Sequence, residues 1–285
     1  MAAFIADTKS PSLSSIICGC STFAFPNTLP ASHQQLLQQI IKLFSKDPRI
    51  VGIGASGSYA SDSMDKYSDL DLVIAIEPEH FAQVMAERLT MVDKVAGKVA
   101  AFTGEHVGEP RLVIALYAPD ALHVDYKFVA LADAAQRVDD TKVVWQRDER
   151  LSQLLDGSSY QYPQPDPQWI EDRFWTWVHY GATKIARGEY FEAVEFLSFI
   201  RSTVLSPLAL QQQGLTPSGV RKVEQRLPEF AAELALTIST AEKAQLIAAF
   251  RQAITLYIGL RDNTEVQPCT EAELLCVTYF ESELS

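Results

Sequence analysis

The chain has 285 residues, of which 47% are apolar and 21% charged, and a net charge of −12. Such a composition excludes a disordered chain and leaves length for one large domain or two of ordinary size. The acidic balance speaks against a surface built for nucleic acid, whose binders neutralise phosphates with Lys and Arg; it suits a cationic small substrate, or plain solubility.

Residues 1 to 31 are rich in Ser, Pro and small residues and read as an N-terminal tail or irregular arm. The run Leu13 to Phe25 is mostly apolar but too short to cross a bilayer. Only Lys9 precedes it, and its cleavage pattern is weak for a signal peptide, so a cytoplasmic protein without a membrane span is expected. From Ser32 the pattern turns helical: Leu36, Leu37, Ile40, Ile41 and Phe44 recur at three- and four-residue intervals, with Ser32 as cap and Pro48 as stop. Ile50 to Ala55 reads as a strand that runs into Gly57-Ser58, and Asp69 to Ile76 as a second strand closed by Glu77-Pro78. A helix is expected from Glu79 to about Met91. Strands follow over Leu112 to Tyr117 and Leu122 to Val129, joined by the turn residues Pro119-Asp120, with a short edge strand over Lys142 to Trp145.

Beyond Asp148 the character changes. Residues 157 to 167 hold three prolines in their last five positions and read as linker. Helical spacing then prevails over Trp169 to Arg187, Tyr190 to Gln213, Ser218 to Leu227 and Thr240 to Leu260. The expected fold is α+β: a small mixed-sheet domain over residues 32–150, then an all-α bundle of four or five helices over residues 151–285. The aromatic cluster Trp169, Phe174, Trp175, Trp177 and Tyr180 reads as bundle core rather than as a base-stacking platform.

The chemistry concentrates at Gly57-Ser58 and Asp69-Leu70-Asp71. Alternation along a strand puts Asp69 and Asp71 on one face and Leu70, Leu72 and Ile74 on the other. Magnesium takes hard oxygen ligands, typically a few carboxylates plus substrate phosphates, which Asp69 and Asp71 would supply. Gly57 allows close backbone approach to a phosphate and Ser58 offers a hydroxyl. A third carboxylate stands in the strand Leu122-His123-Val124-Asp125-Tyr126-Lys127-Phe128, where His123, Asp125 and Lys127 share a face. Asp125 suits either a third metal ligand or a general base for an acceptor's proton. His123 fits a hydrogen-bonded structural histidine better than a metal ligand.

This spacing of apolar strand, Gly-Ser, Asp-x-Asp and a later strand Asp resembles the DNA polymerase beta-like nucleotidyltransferase superfamily, and within it the bacterial aminoglycoside and lincosamide nucleotidyltransferases. The resemblance is close over the motif and architectural elsewhere. It implies magnesium-dependent transfer of a nucleoside monophosphate, AMP from ATP, to a hydroxyl of a small molecule such as an antibiotic, with release of pyrophosphate. It assigns Gly57 and Ser58 to the nucleotide phosphates, Asp69, Asp71 and Asp125 to metal and catalysis, and a basic helix residue, Lys184 or Arg187, to the triphosphate. Arg201 is another basic candidate, and Glu192 and Glu195 are candidates for facing the acceptor, although all of these also suit solvated helix charges. Two other readings remain: an antitoxin-like or regulatory transferase acting on a protein partner, and a nucleotide-binding module without catalysis. Arg173 and His179, six residues apart, match a loose ribonuclease-like pattern that chance also produces. Cys18, Cys20, Cys269 and Cys276 read as reduced thiols, with a Cys18–Cys20 zinc site the less favoured alternative.

Overall fold

The computed structural model describes residues 24–284. Most of the N-terminal arm, with Cys18 and Cys20, lies outside the described residues. The chain divides between Gln161 and Tyr162 into two compact units, the first built on a sheet and the second helical.

In the first unit, α1 (Ala31–Phe44) buries Leu36, Leu37, Ile40 and Phe44, as its three- and four-residue spacing requires. Pro30 occupies the N-cap position, so the expected Ser32 cap is displaced: proline's fixed φ suits the entry, and no side chain caps the helix. Phe25 and Leu29, in the segment read as an arm, pack against the core. The strands are β1 (Ile50–Ser56), β2 (Leu70–Ile76), β3 (Lys98–Gly104), β4 (Glu109–Tyr117), β5 (Leu122–Ala130) and β6 (Thr141–Gln146). They form one sheet in the order β3-β4-β5-β2-β1-β6, with β2 and β5 parallel and the other neighbours antiparallel. A single turn of helix, α2 (Gly57–Ala60), follows β1 directly, and α3 (Phe81–Val92) follows β2 after a short 3-10 turn.

Period-two alternation decides the two faces. Leu70, Leu72, Ile74, Val124, Tyr126 and Phe128 share one core with α1 and Val84 and Val92 of α3. On the opposite face, Val51, Ala75 and Val129 are covered by Leu151 and Leu155 of α4 (Arg150–Asp156). Asp71 and Asp125 stand on that second face, outside this smaller cluster. β3 had no counterpart in the sequence reading. It is an edge strand with Val99 and Phe102 exposed, so burial imposes no clean alternation on it.

The helical unit runs through α5 (Pro167–Ala186), α6 (Tyr190–Ile200), α7 (Ser206–Gln212), α8 (Val223–Arg226), α9 (Pro228–Ala235), α10 (Lys243–Arg261) and α11 (Thr270–Leu284). A π-helical turn, Arg201–Leu205, joins α6 to α7 into an apolar stretch whose inward side is core. The helix expected over Ser218 to Leu227 is reduced to the turn α8, because Gly219 and Lys222 adopt left-handed backbone at φ 61° and 60°. α9 and α11 were not expected. α11 hides its pattern because only Cys276, Phe280 and Leu284 are buried along it, while Leu274 and Leu275 are 70% exposed. The aromatic cluster divides: Phe174 and Trp175 are core, whereas Trp169 is 44% exposed and Trp177 and Tyr180 are half-buried.

Glu171 is fully buried in this unit. It accepts hydrogen bonds from Trp175 Nε1 at 3.0 Å, Tyr257 OH at 2.5 Å and the Cys269 backbone N–H at 2.8 Å, with Arg261 Nη1 3.6 Å away. Burial pushes its carboxyl pKa up, but the donors outweigh burial and hold it below the usual value. A folded-state pKa below the unfolded one contributes stability above the unfolded value that is lost as pH falls through the folded one. Glu171→Ala strands all three donors; at roughly 1–3 kcal/mol for each orphaned buried group, a loss of at least about 3 kcal/mol is expected in denaturant unfolding followed by tryptophan fluorescence. Acid sensitivity of that transition should diminish with it.

Candidate active site

The site begins at the junction of β1 and α2. Ser56 Oγ is 2.8 Å from Thr141 Oγ1 of β6, which pins the last residue of β1. Gly57 then turns the chain at φ 60°, and a Cβ placed there would stand 2.5 Å from Asp71 Oδ2. Only glycine gives both the left-handed backbone and room for that carboxylate. Ser58 follows, half-buried, in the first turn of α2, where helix geometry leaves amides without intrahelical partners.

The loop back to β2 is tied down at several points. Thr28 Oγ1 donates to Asp62 Oδ1 at 2.8 Å, and the Met64 N–H donates to Thr28 Oγ1 at 3.2 Å. Asp65 Oδ1 accepts from the Tyr67 N–H at 2.8 Å. His33 of α1, 1% exposed, reaches 35 positions along the chain to place Nε2 2.7 Å from the Ser68 carbonyl oxygen, to which it donates. The peptide immediately before Asp69 is thereby anchored to the core. His33 belongs to none of the motifs of the sequence. Its one available signal was an ionisable group within the apolar stripe of α1.

Asp69 precedes the first residue of β2, and Asp71 lies within the strand. Asp71 is paired in register with Asp125 of β5. Paired residues of neighbouring strands point to the same face, so the two carboxylates are neighbours although 54 positions apart in sequence. Burial raises the Asp125 pKa and the charge of Asp69 raises it further, opposed by His123. His123 Nε2 sits 2.9 Å from Asp125 Oδ1. Gly57, Asp69, Asp71 and Asp125 are thus brought together by the sheet.

The donor set suits a hard divalent cation: it is all carboxylate oxygen, and the like charges of Asp69 and Asp125 act on each other across the face. Among the described residues no three His, Cys, Asp or Glu side chains are already drawn to metal-ligand spacing.

The remaining candidates lie in the helical unit. Lys184 Nζ is 2.6 Å from Glu189 Oε2 and rests over the Tyr180 ring at 5.0 Å. Arg187 is far more exposed, its guanidinium 4.0 Å from Glu189. Arg201 is directed to structure, donating to the Thr237 carbonyl oxygen at 2.7 Å. Glu192 accepts from Tyr180 OH at 2.5 Å. With Glu195, Trp177, Phe196 and Phe199 it lines a recess of about 320 Å³. Arg173 is spent on the Trp169 ring and carbonyl. His179 packs on the Tyr279 ring at 4.7 Å. A larger recess of about 810 Å³ in the first unit is lined by Tyr59, Ala60, Thr141, Lys142 and Tyr160, and by none of Gly57, Asp69, Asp71 or Asp125.

Residues 37–117 match the family model of the nucleotidyltransferase domain, a span that holds Gly57, Ser58, Asp69 and Asp71 and stops short of Asp125. Among solved structures, the chain is similar to an aminoglycoside 6-adenyltransferase from Bacillus subtilis at 14% identity, with a TM-score of 0.38 over 88% of this chain and 97% of that one. It is also similar to a nucleotidyltransferase-like protein from Exiguobacterium sibiricum at 16% identity, with a TM-score of 0.36 over 79% of this chain and 74% of that one. No curated protein matches the chain.

Proposed function

We propose that this chain, which carries a nucleotidyltransferase domain over residues 37–117, transfers a nucleoside monophosphate, AMP from ATP, to a hydroxyl of a small molecule and releases pyrophosphate. The observation that carries the reading is the close placement of Gly57 against Asp71 and of Asp71 beside Asp125 on one sheet face. A glycine turn that makes room for one carboxylate of an in-register pair, at the start of a helical turn, supports a metal and phosphate site of the kind nucleotidyl transfer needs.

In this reading the backbone at Gly57 and the hydroxyl of Ser58 hold the terminal phosphates, while the missing side chain of Gly57 leaves room for Asp71 beside them. Asp69 and Asp71 hold magnesium, which when bound neutralises phosphate charge and polarises the phosphorus under attack. Asp125, with Oδ1 held by His123, takes the proton of the acceptor hydroxyl at Oδ2. His33 fixes the approach to Asp69 through the Ser68 carbonyl. Lys184 and Arg187, the basic candidates that the resemblance gives, lie in the helical unit, where Arg187 has the more exposed cation of the two.

The test is pyrophosphate release with ATP and magnesium across a panel of antibiotics and small hydroxyl compounds. Release with at least one acceptor, at a rate dependent on that acceptor, is the expected result. ATP binding by calorimetry without release under any acceptor would make the chain a binding module. A stable protein partner that becomes adenylylated would make it a protein-modifying transferase.

A further inference from the structure

The carboxylate face continues past Asp125. Asp125 pairs across the sheet with Ile114 of β4, and Ile114 pairs with Phe102 of β3. Directly paired residues share a face, so a single row runs Phe102–Ile114–Asp125–Asp71 and ends against Gly57. A second row beside it holds Ala100, Leu116 and His123. The other face of β4 and β5 is core, with Val113, Ala115, Val124 and Tyr126 buried. On the carboxylate face, by contrast, Phe102 is 49% exposed, Leu116 is 39% exposed and Ile114 is half-buried. Apolar side chains thus stand open beside the acids of the site.

We infer that Phe102, Ile114 and Leu116 are the acceptor subsite, a shelf for the apolar body of a small molecule whose hydroxyl reaches Asp125. The inference rests on the transferase reading above. In the transfer, the acceptor oxygen bonds to the α-phosphorus as the bond from that phosphorus to the bridging oxygen breaks. The electron pair of that bond leaves with pyrophosphate, and the hydroxyl proton passes to Asp125. Attacking and leaving oxygens lie roughly in line on opposite sides of phosphorus. Gly57 and Ser58 hold the leaving phosphates at one end of the row, so the acceptor enters from the other, over β4 and β3. Strands are spaced by roughly 4.8 Å, which puts Ile114 about 5 Å and Phe102 about 10 Å from Asp125 across the sheet. That length suits a fused ring or a short alkyl chain. Phe102, Ile114, Leu116 and Ala100 carry no charge, and the polar groups of the face stand around them, His123 in the second row, Lys127 paired with Glu109 in the row on the other side and His106 against the Phe102 ring; the shelf therefore takes the apolar body of an amphiphilic alcohol in preference to a uniformly polar sugar.

Octyl β-glucoside below its critical micelle concentration, with glucose as its polar counterpart, probes the shelf directly. Each is titrated into the full chain labelled at Ile and Leu methyl groups, with ATP and magnesium titrated separately into the same preparation. Ile114 and Leu116 resonances are expected to shift with octyl β-glucoside and not with glucose. Phe102→Ser and Leu116→Ser should each weaken that binding about tenfold, the scale of losing one large apolar contact, with ATP affinity unchanged. Both positions are exposed, and an unaltered unfolding transition verifies the fold of each variant. Equal response to glucose, shifts confined to other methyl groups, or unchanged affinity in both variants would overturn the shelf while ATP binding stands. Failure of the unmodified chain to bind ATP would instead remove the transferase reading on which it rests.

Discussion

Asp71→Asn is expected to lower magnesium-dependent pyrophosphate release by about 10³-fold, because it removes a formal charge from the group proposed to hold the metal. Stabilisation of phosphate charge by a bound metal amounts to several kcal/mol, and roughly 4 kcal/mol corresponds to three orders of magnitude in rate. The amide keeps the shape of the carboxylate, and an unfolding midpoint measured beside turnover separates loss of activity from loss of fold. A magnesium titration separates the causes: a lost ligand raises the concentration of metal needed for half-maximal turnover. Asp69→Asn should act in the same direction, and Asp125→Asn should reduce turnover without that shift in metal demand. Unchanged release in both Asp69→Asn and Asp71→Asn would end the assignment.

Gly57→Ala has a different signature. The added methyl meets the free end of the Asp71 side chain, which can move aside, so the cost to folding is confined to the left-handed backbone, roughly 1–2 kcal/mol. The cost to the reaction is larger, because the atom displaced is Asp71 Oδ2 itself. Misplacing a reacting group by about 1 Å can cost roughly a hundredfold, and a loss of that order in kcat/KM is expected. The pairing of a small shift in unfolding midpoint with a large loss of activity is the diagnostic result. Equal activity in Gly57→Ala and the parent chain would show that the close approach at this turn serves packing alone.

The features legible in sequence were those whose physics is local. α1 buries one face, and β2 and β5 bury one face over most of their length, which writes a period of 3.6 or 2 into consecutive residues; β1, buried on both faces, reads instead as a short apolar run between turn residues. β5 is the clearest case: Val124, Tyr126 and Phe128 are fully buried while Asp125 stands between them on the open face. β3 could not be read, because none of its residues from Lys98 to Thr103 on this edge strand is buried, so burial writes no period into it. α8 failed for the opposite reason. Its sequence keeps helical spacing, but two left-handed residues interrupt the backbone before the helix is formed.

The same division governs the site. Gly57, Ser58, Asp69 and Asp71 fall within fifteen positions, and the need for a turn, a phosphate contact and paired carboxylates is visible in that stretch alone. Sequence by itself therefore determined the candidate chemistry and the mixed-sheet and helical architecture. Only tertiary structure decided that Asp71 stands beside Asp125, that His33 anchors the peptide before Asp69, and that Ile114 and Phe102 extend the carboxylate row. These contacts join residues on different elements, and strand order and register are set by how whole faces bury against one another. No short window of sequence carries that information.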